Sequence, residues 1–180
     1  MENAQSLWFA VYTAPRHEKR VEQHLEQRGI EHFLPLYRKQ SKWKDGSKVI
    51  VSLPLFPSYL FVRIPRDRRS RVLAIPSVVG FVSGLGRIPE ALPEHEIESL
   101  RASLSFYKVE PHPNLILEPG HAATICTGPF AGRRGLVVRT KANMRVILTL
   151  DLIQRNISVE CDASDLEASE SSRDSRYLVA

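Results

Sequence analysis

The stretch from Lys108 to Pro119, KVEPHPNLILEP, constrains this chain more than any other, because it holds three prolines and no apolar period. Proline removes a backbone donor and fixes φ, so no helix or central strand runs through such a segment. The chain is therefore expected to fold as two units joined by an extended linker. Residues 7–107 form the first unit, 108–119 the linker and 120–168 the second, while the serine-rich end, 169–180, is expected to be disordered. A length of 180 residues suits two small domains.

In the first unit, WFAVY at 8–12 is an aromatic and β-branched run that predicts a buried strand. Thr13 offers an N-cap, and Pro15 fits a first helical turn. From Arg16 to Arg28 the pattern is helical, with Val21 and Leu25 on one face and Arg16, Arg20, Gln23, His24 and Gln27 on the other. Gly29 marks its end. Strands follow in IEHFLPLYRKQ and VIVSLPLFPSYLFVRI, separated by a Lys-rich hairpin that turns at Asp45-Gly46. A short helix around Ser70 to Leu73 precedes the loop and strand of IPSVVGFVSGLG. Ile97, Leu100 and Leu104 then predict an amphipathic helix after Pro93. One antiparallel sheet carrying these helices makes an α+β sandwich.

Beyond Gly120 the texture changes to short β-rich runs, HAATIC, GLVVRT, RVILTLDL and ISVECD, whose edges a small closed barrel would protect. Charge divides in the same place. Residues 1–110 carry 17 Lys or Arg against 12 Asp or Glu, whereas 111–180 carry 8 of each, so the net charge of +5 lies wholly in the first part. A polyanionic partner is compatible with that part. Arg16, Arg20 and His24 are candidates for such contact, as are the arginine run RIPRDRRSR and the hairpin lysines, each with a solvated surface as the plain alternative.

Several classes are excluded. Cys126 and Cys161 lack the spacing of a zinc site and read as buried free thiols. The N-terminus shows no signal-peptide pattern, and no run approaches the roughly 18 apolar residues of a membrane span, so a cytoplasmic location and no membrane partner are expected. The histidines are scattered, and neither a nucleophile elbow nor a phosphate loop is present. No catalytic residue, metal or cofactor is expected. Glu94, Glu96 and Glu98 suit the start of a helix through its dipole.

Two motifs carry more. In PLFPSYLFV, at 54–62, Pro54 and Pro57 interrupt ladder pairing, after which Tyr59 and Phe61 alternate onto one face, either as core or as a contact for a partner. In GPFAGRRGLV, at 128–137, Gly128, Gly132 and Gly135 permit tight turns, and Pro129 stiffens a loop expected to present Phe130.

With WFAVYT upstream and IPSVVGFV downstream, the first motif resembles the N-terminal signature of the NusG family, usually FPGY followed by a strand. The second resembles the KOW motif, and the likeness spans Trp8 to about Glu167. It implies a NusG-type sandwich, a linker and a small KOW β-barrel in a monomeric, non-enzymatic transcription elongation and antitermination factor. It also implies that an apolar patch, here Phe9, Tyr12, Tyr59, Phe61 and Ile97, binds the clamp helices of the largest RNA polymerase subunit. The KOW residues Gly128, Pro129, Phe130, Gly132 and Gly135 would contact ribosomal protein S10 and, in some members, the termination factor Rho.

Ser58, where FPGY has glycine, and the helix RVEQHLEQ resemble the specialised RfaH and LoaP branch, in which that helix reads non-template DNA. The well-kept GPFAGRRG argues against a barrel that refolds as helices, so the barrel is expected to fold alone and tumble separately. The alternative is a KOW-type RNA-binding or ribosome-associated protein, which the near-neutral barrel disfavours.

Overall fold

The computed structural model describes residues 5–42, 44, 46–83, 88–106, 109–112, 121–139, 144–150, 155–161 and 163–168. The expectations for 113–119 and for the tail at 169–180 lie outside these residues. The first unit runs β1 (Leu7–Thr13), α1 (Glu18–Gln27), β2 (Glu31–Phe33), β3 (Leu36–Lys42), β4 (Lys48–Pro54), β5 (Tyr59–Ile64), α2 (Arg69–Leu73), β6 (Val78–Phe81) and α3 (Glu94–Phe106). The second contains β7 (Val109–His112), β8 (His121–Ile125), β9 (Arg134–Arg139), β10 (Met144–Leu150), β11 (Arg155–Cys161) and β12 (Leu166–Ala168).

Strands β2, β5, β1 and β6 form one antiparallel sheet in that order, while β3 and β4 pair apart from it as a hairpin. Side chains alternate across a strand, so each of the sheet's faces acquires its own core. On one face Phe9, Val11, Leu60, Val62 and Ile64 pack with Val21 and Leu25 of α1 and with Val72 of α2. On the other, Trp8, Ala10 and Phe61 pack with Leu55, Phe56 and the α3 residues Ile97 and Leu100. The amphipathic periods of α1 and α3 are thus used on opposite sides.

Helix α1 begins later than its sequence suggests. Thr13 ends β1 instead of capping the helix, and the N-cap position is His17, whose side chain makes no capping bond. The backbone turns first at Arg16, which has φ 65°. The other end matches expectation: Gly29, at φ 61°, donates its N–H to Glu26 O at 2.9 Å, and Ile30 donates to Leu25 O at 3.0 Å. These paired bonds satisfy the last carbonyls in the usual left-handed cap.

The second unit is a six-stranded antiparallel sheet ordered β12-β8-β9-β10-β11-β7, around Ile125, Phe130, Val146, Ile157, Val159 and Cys161. Two expectations change. Cys126 is exposed and only Cys161 is buried, because Cys126 lies just past β8 where the chain turns out of the sheet. Residues 109–112, read as linker, are a strand paired with β11. Pro111 is tolerated there because β7 is the outermost strand and needs no donors on its far side.

Glu22 of α1 is half-buried, and burial pushes its carboxyl above the ordinary 4.5; His32 and Lys19 oppose the shift and Glu26 adds to it. A raised value means the fold favours the protonated acid, so this group's contribution is complete below 4.5 and is lost as pH rises through the raised value. Glu22→Gln is therefore expected to raise the thermal midpoint above wild type at pH 7.5. The gap should close by pH 4, as parallel melting curves would register.

Candidate functional site

The antiparallel register of β1 and β5 sets Tyr12 opposite Tyr59, Ala10 opposite Phe61 and Trp8 opposite Arg63, all on one face of the sheet. The tyrosine rings lie 5.2 Å apart, and Tyr12 remains 38% exposed. Phe61 lies inward at 2% exposure, stacked on Phe33 and edge-on to Phe56, each with centroids 6.2 Å away. Ile97, at 3%, belongs to the same cluster. Phe9 is on the other face, fully buried and edge-on to Phe81. Residues 9 and 12 are an odd number apart in a strand, so they cannot share a face, and the five nominated aromatic and apolar residues do not form one surface patch. Only Tyr12 and Tyr59 of the five are not buried, and the others support them.

A buried carboxylate that the motif alone did not reveal holds the turn before Tyr59. Ser58 has φ 67°, a left-handed conformation that glycine adopts more easily. Its N–H donates to Glu18 Oε1 at 2.7 Å, and its carbonyl accepts from Thr13 N–H at 2.9 Å. Glu18 is only 5% exposed, from the first turn of α1. The signal available in the sequence was Ser58 itself, since a side chain at a position that usually holds glycine demands compensation. Nearby, Ser77 at φ 72° accepts from Ala14 N–H at 2.8 Å, and its hydroxyl lies 2.8 Å from His17 Nδ1.

Of the nominated basic residues, Arg16 lies in the turn before α1 and Arg20 on the helix, both exposed, while His24 is half-buried. Lys19 joins this face to the hairpin by donating to Ser52 O at 2.7 Å. At the other end of the sheet, Trp8 Nε1 donates to Glu94 Oε1 at 3.1 Å, and Glu94 also pairs with Arg63 at 3.1 Å. The Arg101 guanidinium lies 5.0 Å from the Phe33 centroid and 5.8 Å from that of Trp8, within cation–π range. These contacts fix α3 on the sheet.

In the barrel, Gly128 and Gly132 have φ 74° and 82°, and Gly135 lies within β9. The loop closes through Ala131 N–H to Gly128 O at 3.0 Å and Gly132 N–H to Ile125 O at 2.7 Å. Phe130 is not held out at the tip as expected. It turns inward to 3% exposure, because the loop closes over a small core that needs its volume. Pro129 stays half-buried. The barrel core and the α3 side of the first unit form one continuous apolar cluster, and Arg133 pairs with Glu96 of α3 at 3.2 Å. Separated units were expected; in this conformation the two are in contact.

Removing the Glu18 carboxylate leaves the buried Ser58 N–H without its acceptor, a loss of about 1–3 kcal/mol. Glu18→Ala should lower stability by that order in denaturant titration, whereas Glu18→Gln, which keeps an acceptor oxygen, should lose less.

Among the described residues no helix is long and apolar enough to cross a membrane, and no group of metal-ligating side chains gathers. The family described as transcription termination factor NusG matches residues 6–101. A transcription termination/antitermination protein NusG of Rickettsia prowazekii is 27% identical over 175 residues, 91% of this chain and 90% of that protein. The Pseudomonas aeruginosa protein of the same name is 24% identical, over 89% and 97% respectively. Among solved structures, one described as domain interaction in Thermotoga maritima NusG aligns with a TM-score of 0.63 at 22% identity, covering 92% of this chain and 98% of the other, a likeness of fold. With more than half its length matched by the family, and with sheet, helices and β-rich second unit arranged as that resemblance implied, this chain belongs to the NusG family of transcription termination and antitermination factors, which are not enzymes.

Proposed function

We propose that the protein rides on RNA polymerase and acts by binding energy alone, its first unit docking on the clamp helices of the largest subunit. The Tyr12–Tyr59 pair carries this reading, because it is a rigid aromatic contact set on a fully packed apolar base. Tyrosine combines large contact area with a polar tip and little side-chain entropy, and such residues dominate interface energetics. Phe61 and Ile97 act beneath the pair as support, and Phe9 supports the sheet from its other face. Arg16 in the turn before α1, with Arg20 and His24 on the helix, offers basic side chains to exposed non-template DNA. Ser58 in its left-handed turn supports assignment to the specialised RfaH and LoaP branch.

The barrel, in this proposal, recruits ribosomal protein S10 or Rho through the loop from Gly128 to Gly135. Phe130 contributes by shaping that loop from inside. The alternative, a barrel that binds structured RNA, gains no support from its balanced charge.

Tyr12→Ala with Tyr59→Ala should weaken binding to purified core polymerase by at least thirtyfold, the loss expected if only one of the two is a hot spot of about 2 kcal/mol. Both side chains lie outside the buried core, so circular dichroism should remain native. Undiminished affinity in the folded double variant would reject the site. Arg16→Ala with Arg20→Ala should leave that affinity intact but reduce association with a paused complex, most visibly at low salt. Equal losses in both assays would mean that the arginines serve the fold.

A further inference from the structure

The outermost strand of the barrel is supplied by the segment that the sequence marks as linker. In the order β12-β8-β9-β10-β11-β7, removal of β7 leaves β11 as an edge. That edge is long, since β11 spans the seven residues Arg155–Cys161, and an exposed edge of that length is a template for strand addition. Among the described residues its occupant pairs over four positions. Val109, Glu110, Pro111 and His112 face Val159, Ser158, Ile157 and Asn156.

Departure of β7 would withdraw one core side chain, Val109, and leave the other strands of the barrel paired. All seven residues of β11 pair with β10 on the other side, from Met144↔Cys161 to Leu150↔Arg155, and Ile157 and Val159 are fully buried in the core. We propose that β7 is an exchangeable strand: the outer edge of β11 is the barrel's docking edge for an extended segment of a protein partner, and Val109–His112 occupies it until the partner takes its place. This rests on the reading that the barrel recruits a protein. A backbone ladder of alternating donors and acceptors is what a polypeptide strand supplies and what a nucleic acid does not.

The exchange also links recruitment to the tether. α3 ends at Phe106 and β7 begins at Val109, so pairing of β7 fixes the barrel within a short distance of α3, where Arg133 meets Glu96. Releasing four extended residues adds about 13 Å of reach at roughly 3.3 Å per residue. A partner that takes the edge thereby lengthens the tether between the barrel and the first unit.

The test uses purified S10 and the full chain in three forms: wild type, Glu110→Pro, and a Glu110→Cys/Ser158→Cys variant that also carries Cys126→Ser and Cys161→Ala. Glu110 and Ser158 are cross-strand neighbours, whose Cα separation of about 4.5–5.5 Å suits a disulfide. Glu110→Pro removes a donor from β7 and should bind S10 at least tenfold more tightly than wild type. The oxidised double-cysteine form should bind at least tenfold more weakly and recover on reduction. Equal affinity in all three forms overturns the exchange while leaving recruitment standing. If none binds, the recruitment reading falls instead, and amide hydrogen exchange decides the strand. Faster exchange at 156–159 in Glu110→Pro, with β8–β10 still protected, supports a removable β7, and unchanged exchange refutes it.

Discussion

Strands β1 and β5 lie side by side over six residue pairs, and the closure of that ladder depends on a turn that a buried carboxylate completes. Ser58 reverses the chain in a conformation that disfavours a side chain. Glu18 reaches it from α1, so one hydrogen bond ties helix, turn and both central strands together. The buried acid is acceptable because its oxygen is occupied by a backbone donor. From this junction the register follows: Tyr12 meets Tyr59 at the surface, while Ala10 makes room beside Phe61 for the aromatic layer under α3.

Much of the architecture was legible because it rests on period and punctuation. The spacing of Val21 and Leu25 identified the buried side of α1, Gly29 its end, and Ile97 with Leu100 the buried side of α3. The change of texture to short β-rich runs marked a second, β-rich unit. What failed were statements about exposure. Phe9, Phe61 and Ile97 were nominated by motif, yet motif membership does not distinguish a residue that touches a partner from one that supports it. Strand parity alone separates Phe9 from Tyr12. Phe130 was expected outside because glycines flank it, but those glycines let the loop fold back and bury it.

The linker was misread for a related reason. Proline excludes a central strand, which makes KVEP read as linker, but an outermost strand tolerates proline. Only the partner strand, 44 to 50 residues later in the chain, makes Val109–His112 a strand at all. Pairings over that distance leave no local trace. The result is a chain whose two units are joined by more than a tether, through a shared apolar cluster and the Arg133–Glu96 pair. Basic charge stays with the unit that carries α1, and the barrel remains near neutral, which fits the proposed division between polymerase and nucleic acid on one side and protein recruitment on the other.

The central claim is that the Tyr12–Tyr59 surface, and not the barrel, meets polymerase. Photo-crosslinking tests it most directly, with benzoylphenylalanine replacing Tyr59 in one full-length protein and Pro129, on the barrel loop, in another. Each is mixed with purified core enzyme and irradiated. The account predicts a crosslink from position 59 to the largest polymerase subunit and none from position 129. A crosslink from 129 with none from 59 would contradict it.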